Sequence, residues 1–161
     1  MIQRLAFVSL GTISRRLCRA AMLLLLTVSV TGCMTTRGIW KASSKGKVAR
    51  VQRLLAAGVE VDAVYKDGST PLFAASENGE SAVVKLLLEA GAVVDAAHQD
   101  GRTTLWVASQ NGHSEVVKLL LEAGADQSVT AQGETPRSIA QKNGHQNIVR
   151  ILDEWTSEAC F

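Results

Sequence analysis

The residue types that most often carry out chemistry are sparse in this chain and form no reactive pattern. Of the 161 residues, three are His and three are Cys. The sequence has no G-x-S-x-G, no H-E-x-x-H and no phosphate-binding glycine loop, and no two Cys are spaced as metal ligands. His113 and His145 each follow a regularly spaced Gly, which favours a structural role, and His98 stands alone in a turn. The sequence therefore predicts no enzyme, no metal site, no cofactor and no small-molecule substrate.

The remaining candidate for chemistry is a Cys at the end of a segment built like an export signal. Residues 1–19 contain four Arg and no acid, and residues 20–30 form an uncharged, mostly apolar run of 11 residues. A helix needs about 20 apolar residues to span a bilayer, so this run is too short. The segment is typical of a secretory signal that ends at Cys33.

Val30-Thr31-Gly32-Cys33 resembles the lipobox of bacterial lipoproteins. The resemblance implies that residues 1–32 are removed, that the Cys33 thiol is acylated, and that residues 33–36 form a short tether. Because Met34 stands where an Asp would retain a lipoprotein in the inner membrane, it also implies the outer membrane, facing the periplasm. An ordinary secretory signal with a chance Cys is the alternative.

The composition limits what the remaining chain can be. It is 47% apolar and 4% aromatic, with 13 Gly and 2 Pro, which can fill a core and excludes a disordered or collagen-like chain. Few aromatic residues and many small aliphatic residues favour stacked helices over a β-sandwich. A formal net charge of +2 argues against nucleic acid as a partner.

An internal repeat organises the sequence after the signal. Gly recurs at 33-residue spacing from Gly46 through Gly79 to Gly112. Residues 67–99 and 100–132 are identical at 20 of 33 positions, which chance does not produce. Functional residues in this part of the chain are therefore positioned by copies of one structural unit.

Each unit predicts two short helices. Thr70 before Pro71 suits an N-cap followed by the first residue of a helix, and Ser81 can cap a second helix. That second helix is too apolar for a helix with one buried side, so it must lie between neighbours. Gly91 ends it.

Asp67-Gly68-Ser69-Thr70-Pro71-Leu72 and the apolar second helix up to Ala92 resemble the ankyrin repeat. Residues 100–125 repeat both parts, a further unit opens at Gly133, and residues 46–58 match a second helix. The resemblance implies an all-α ankyrin solenoid of about four helix-turn-helix units with short β-hairpin-like turns. The domain would cover residues 37–161, with units at residues 37–66, 67–99, 100–132 and 133–155.

Ankyrin proteins bind protein partners mainly through the turn tips and the exposed side of the first helices. The resemblance therefore implies a partner-binding surface whose tip residues are Tyr65, Lys66, Ser69, His98, Gln99, Arg102, Gln132 and Glu134, and whose first-helix residues are Glu77, Gln110 and Lys142. These positions differ in charge between units while the core positions do not, as a recognition surface would. Solvated positions under no constraint would look the same.

Three aromatic residues recur at 33-residue spacing, namely Trp40, Phe73 and Trp106. In stacked units their rings would lie near one another as a column. Such a column can be a binding strip or can seal the joints between units, and a half-buried position favours packing.

A basic stretch opens the first unit. Six cations lie within 17 residues, and no acid stands between Cys33 and Glu60. The six are Arg37, Lys41, Lys45, Lys47, Arg50 and Arg53. Beside a lipid anchor they could face anionic head groups, at about 1 kcal/mol per charge. A docking patch for an acidic protein and a plain solvated cap are the alternatives.

These features together indicate a membrane-anchored protein-recognition module of the bacterial cell envelope. One alternative is an inhibitor or immunity protein for a periplasmic toxic or hydrolytic enzyme. Another is a helper of an envelope enzyme that handles oxidative stress. The lone Cys160 near the end of the chain could pair with another molecule or stay a free thiol.

Overall fold

The computed structural model describes residues 36–158, all within one compact unit of residues 35–161. Cys33, the signal segment before it and Cys160 lie outside the described residues. The described part contains eight helices and no extended strand. They are α1 (36–43), α2 (Val48–Ala56), α3 (Pro71–Glu77), α4 (Ser81–Glu89), α5 (Thr104–Asn111), α6 (Ser114–Glu122), α7 (Pro136–Lys142) and α8 (Gln146–Glu158).

The helices form two layers. The first helices α3, α5 and α7 pack side by side, and the second helices α2, α4, α6 and α8 form a parallel row behind them. Within a unit, α3 packs on α4, α5 on α6 and α7 on α8. We number the units 1 to 4, beginning with α1 and α2. This stack of helix pairs confirms the predicted all-α solenoid.

A Thr hydroxyl starts each first helix of units 2 to 4. Thr70, Thr103 and Thr135 have extended backbones, and their side chains accept hydrogen bonds from the backbone N–H three residues on. Pro71 occupies the first helical position of α3, where a missing N–H costs nothing. Thr104 replaces that Pro in α5. The predicted capping by Thr70 is confirmed.

The second helices start differently from the prediction. Ser81 is the first helical residue of α4 and not its cap, and the capping residue Glu80 makes no side-chain capping bond. Gly79 has a left-handed backbone with φ +75°, and its carbonyl accepts from the Ser81 N–H at 2.9 Å. The tight glycine turn therefore satisfies this amide with backbone alone.

The core lies between the layers and runs through the units. Val84 and Leu87 of α4, and Val117 and Leu120 of α6, are fully buried. The two inner second helices each contact second helices on both sides, α4 lying between α2 and α6 and α6 between α4 and α8. This is the sandwiching that their apolar sequence predicts.

Polar side chains join the units at one edge of the stack. The Glu77 carbonyl at the end of α3 accepts from Asn111 Nδ2 at 2.8 Å and from His113 Nε2 at 3.0 Å. The Gln110 carbonyl at the end of α5 accepts from two residues of unit 4, Asn143 and His145, at the same distances. Because the preceding helix end lacks partners of its own, these bonds satisfy it. His113 and His145 are therefore structural.

Asp side chains make the corresponding links at the other edge. The Asp62 carboxylate accepts from the Val93 N–H at 3.1 Å, and Asp95 accepts from the Asp126 N–H at 3.1 Å. Hydrogen bonds at both edges hold successive units in register.

None of the helices in residues 36–158 is long and apolar enough to cross a lipid bilayer.

The glycine at each first-helix end meets the next unit closely. A Cβ at Gly79 would lie 2.5 Å from Nδ1 of His113, whereas a Cβ at Gly124, after α6, would meet nothing within 4 Å. Both glycines have left-handed backbones, with φ of +75° and +87°. Both positions therefore require a left-handed backbone, but only Gly79 lacks space for a side chain.

We expect Gly79→Ala to destabilise the chain more than Gly124→Ala. Each places Ala in the left-handed region, at about 1 kcal/mol. Gly79→Ala also displaces His113 from its hydrogen bond to Glu77, which adds about 1 kcal/mol. Urea unfolding followed by far-ultraviolet circular dichroism measures the difference. Equal losses of stability would show that the histidine contact does not hold units 2 and 3 together.

Candidate functional site

The turns between units are short hairpins, and the first two share one geometry. In the turn between α2 and α3, the Tyr65 N–H donates to the Ser69 carbonyl at 2.9 Å. In the turn between α4 and α5, the His98 N–H donates to the Arg102 carbonyl at 2.9 Å. The Gly before the closing residue is left-handed, with φ +83° at Gly68. A three-residue loop ending in a left-handed residue is a common hairpin connection.

The third turn is one residue shorter. Ala131 and Glu134 exchange two backbone hydrogen bonds of 3.0 Å each, and they form the bridge between α6 and α7. Both central residues have positive φ, +56° at Gln132 and +78° at Gly133. Two successive positive φ values are typical of a type I′ turn. The shorter turn lacks the Asp that the first two carry.

In each of the first two turns, the Asp carboxylate accepts hydrogen bonds from other residues of the turn. Asp67 accepts from the backbone N–H and the hydroxyl of Ser69. Asp100 accepts from the Arg102 N–H at 3.2 Å, from Arg102 Nε at 2.7 Å and from His98 Nδ1 at 2.8 Å. Partial burial raises the pKa of Asp100, but the bonds from His98 and Arg102 outweigh it and lower that pKa to about 2.

Ser69 lies inside the first turn, contrary to the expectation of an exposed tip. It is 3% exposed, and its hydroxyl donates to Asp67. The same oxygen accepts from the indole Nε1 of Trp40 at 2.7 Å. Ser69 therefore joins units 1 and 2, and its hydroxyl does not face a partner.

The three recurring aromatic residues are packing residues to different degrees. Phe73 and Trp106 are 3% and 1% exposed, so neither forms a binding strip. The Trp106 indole N–H donates to the Glu134 carbonyl of unit 4 at 3.0 Å. Trp40 is half-buried. These rings fill the joints between units, with one face of Trp40 left accessible.

The rings of Trp40 and Phe73 each stack on a ring of the following turn. Tyr65 stacks on Trp40 with ring centroids 4.8 Å apart, and His98 stacks on Phe73 at 5.1 Å. The Arg102 guanidinium lies over Phe73 at 5.6 Å and over Trp106 at 5.8 Å. The predicted column is therefore built from aromatic rings of the helices interleaved with turn residues.

The predicted partner-binding residues divide into exposed and packed groups. Lys66, Gln99 and Gln132 are exposed at successive tips, and Glu77 and Lys142 are exposed on first helices. The remaining predicted residues are half-buried, apart from Ser69. They are Tyr65, His98, Arg102, Gln110 and Glu134.

The structure brings some of these residues together, both between successive tips and between a tip and a first helix. A Cβ at Gly68 would lie 2.5 Å from Cγ of Gln99, so the second tip rests on the first. Lys142 Nζ lies 3.4 Å from the Glu134 carboxylate, which also accepts from Ser138. Tips and first helices thus form one continuous surface on a fixed backbone.

The cations of unit 1 line two cavities on either side of the end of α1. A groove of about 520 Å³ is lined by Arg37, Trp40, Lys41, Ser44, Lys45, Tyr65, Glu77 and Asn78. A second cavity of about 230 Å³ is lined by Lys41, Ala42, Lys45, Lys47 and Arg50. Arg53 lines neither cavity and donates from Nε to the Ala49 carbonyl. The basic stretch therefore does not form one flat face.

A family model described as ankyrin repeats, in three copies, matches residues 39–131 of the 161. The chain belongs to the ankyrin-repeat family. The matched range covers most of α1 to the third turn, so α7 and α8 form a fourth ankyrin unit beyond it. No curated protein matches the chain. Ankyrin repeats are generally protein–protein interaction modules, and their fold is not an enzymatic one.

Two sets of contacts that shape this ankyrin surface were not predicted from the sequence. Asn111 and Asn143 donate across units, and their regular spacing in Asn-Gly pairs was the available indication. The stacking of Tyr65 on Trp40 could not be read from spacing, because the 24 residues between them include a whole helix. Within residues 36–158, no three His, Cys, Asp or Glu side chains are grouped to hold a metal ion.

We expect Asp100→Asn to destabilise the chain in a pH-dependent way. The lowered pKa of Asp100 means that its contribution is fully present above the unfolded pKa of about 3.9 and is lost as the pH falls towards 2. After screening of this partly exposed group is allowed for, the loss at pH 6 is about 1 kcal/mol. Urea unfolding at pH 6, 4 and 2.5 measures it.

The Gln99→Ala variant is the control, because it alters the same turn without removing a carboxylate. Its difference from the wild-type chain should stay constant between pH 6 and pH 2.5. A constant difference for Asp100→Asn as well would mean that the ionised carboxylate does not stabilise the turn.

Proposed function

We propose that the chain is a lipid-anchored protein-binding module of the bacterial cell envelope. The observation that carries the proposal is the row of exposed polar side chains at successive tips, Lys66, Gln99 and Gln132, on a scaffold of ankyrin units. Other polar side chains of the turns are bonded within the fold, as Asp100 and Ser69 are. The free tip residues are therefore available to a partner.

The backbone of these tips supports recognition because it is already ordered. Each turn closes on itself through backbone hydrogen bonds of 2.9–3.0 Å. The second tip also rests on Gly68 of the first. A surface that is fixed before binding loses little conformational entropy when a partner docks. Affinity would then come from the three tips and from the first-helix residues Glu77 and Lys142.

The envelope assignment rests on the N-terminal sequence. The basic segment, the short apolar run and the lipobox-like residues before Cys33 together support export and acylation. One acyl chain anchors a protein only marginally, whereas two or three anchor it stably. We place the module at the outer membrane, facing the periplasm.

We expect the triple variant Lys66→Ala, Gln99→Ala, Gln132→Ala to lose its partner. The test is to crosslink cells gently, purify the tagged full-length chain and quantify co-purified proteins by mass spectrometry. If the tips bind the partner, recovery should fall at least tenfold, which corresponds to about 1.4 kcal/mol. The three residues are exposed, so the fold should tolerate the change.

The matched control is Lys85→Ala, Lys118→Ala, Glu122→Ala. These three residues are exposed on the second helices α4 and α6, and the change alters net charge by the same amount. The control should retain the partner at the wild-type level. Equal recovery with both triple variants would contradict recognition through the tips.

We expect Cys33→Ser to abolish lipid attachment. Cells grown with labelled palmitate should label the wild-type chain and the Cys160→Ser control, but not Cys33→Ser, because only the Cys33 thiol would form the thioether. Cell fractionation should find Cys33→Ser outside the outer-membrane fraction. An unlabelled wild-type chain that is secreted and soluble would instead establish an ordinary secretory signal.

A further inference from the structure

The groove on unit 1 combines two walls of different chemistry with an aromatic floor. One wall is α1 and the turn after it, which contribute Arg37, Lys41 and Lys45 at four-residue spacing. The other wall is the end of α3, with Glu77 and Asn78. Its volume of about 520 Å³ falls in the range of sites that bind ligands.

Trp40 lacks the guanidinium cover that Phe73 has in the next unit. Ser69 stands 33 residues before Arg102, the residue whose guanidinium covers Phe73 and Trp106 in the next unit. A hydroxyl is too short to cover Trp40 in this way. Trp40 and Tyr65, whose rings stack on each other, line the groove, and the bond from Trp40 to Ser69 holds the indole in place.

The cations of the groove lack acidic partners in the described chain. The ion pairs of residues 36–158 involve Asp100, Asp153, Glu134 and Glu154, and all lie in units 2 to 4. The preceding segment cannot neutralise the groove either, because the sequence contains no acid before Glu60. The positive charge of the wall formed by α1 is therefore available to another molecule.

The shape and the second wall favour a polypeptide over a membrane. A planar bilayer cannot enter a recess, whereas an extended polypeptide can lie in one. Glu77 forms no ion pair among residues 36–158, so it can accept a hydrogen bond from a ligand N–H group. An extended peptide offers carboxylates, N–H donors and apolar side chains together.

We propose that this groove binds an acidic, extended segment of a partner protein, with one of its apolar or aromatic side chains on the Trp40–Tyr65 stack. Carboxylates of the segment would pair with Arg37, Lys41 and Lys45. The inference rests on the proposed function and adds the chemistry of the partner at one end of the binding surface.

The test is a selection of random 12-residue peptides on phage against the purified full-length chain in mild detergent. Enriched peptides should be acidic and contain an aromatic or large aliphatic residue. The tightest peptide should bind at least tenfold more weakly to Arg37→Glu, Lys41→Glu, and its affinity should fall with added salt. Both residues are exposed, so the substitutions should leave the fold intact.

The matched control is Arg50→Glu, Arg53→Glu, which reverses the same number of charges in the same unit outside the groove. It should weaken the peptide less than threefold. Equal weakening by both variants would overturn the proposal, because the attraction would then be diffuse. Enrichment without an excess of acidic residues would overturn it as well.

Native mass spectrometry in micelles containing phosphatidylglycerol tests the lipid alternative. Lipid adducts that disappear with Arg37→Glu, Lys41→Glu, when no acidic peptide is selected, would assign the groove to head groups and overturn the proposal. The crosslinking experiment separates this inference from the proposed function. A partner lost with the tip variant but kept with Arg37→Glu, Lys41→Glu leaves the module role standing and removes the groove from it.

Discussion

The structure depends on the fact that one unit cannot bury its own second helix. Leu87 of α4 and Leu120 of α6 are fully buried, because each of these helices lies between two other second helices. A unit alone would leave much of that apolar surface in water, so stability resides in the contacts between units. The cross-unit bonds from His113 and His145 to carbonyls at the ends of the preceding first helices act at the same joints. Loss of one joint therefore weakens both neighbours.

Because packing contacts occupy only part of the surface, a defined part of the chain is left for recognition. The second helices and the edges of the stack are occupied by packing and by cross-unit hydrogen bonds. The tips have closed backbones and free side chains, as at Lys66 and Gln99. A side chain can therefore change at a tip without changing the scaffold beneath it. That separation is the physical reason why a stack of nearly identical units can present a surface that differs from unit to unit.

The repeat made the fold predictable, because identical residues at a fixed spacing must occupy identical environments. The Thr caps and the buried second helices followed from that spacing. Two expectations were wrong for local reasons. Ser81 does not cap α4, because the helix already begins at Ser81 and Glu80 occupies the capping position. Ser69 is hidden, because bonds to Asp67 and Trp40 turn it inwards, and position in a loop does not fix the direction of a side chain. The division of the basic stretch between two cavities also depends on three-dimensional placement. Acylation of Cys33 stays a prediction.

The comparison of Ser69 with Arg102 shows how one substitution changes the surface of a repeat. At both positions the backbone closes the same hairpin, with a bond of 2.9 Å to the residue that opens it. Arg102 extends over two aromatic rings and fills the joint between units 2 and 3. Ser69 turns inwards and places no cation over Trp40, which lines a groove between units 1 and 2 beside a wall of cations. The binding chemistry changes completely, since a joint sealed by a cation becomes a recess that attracts an anion. A repeat protein can therefore acquire a new site at any joint where the covering side chain is shortened.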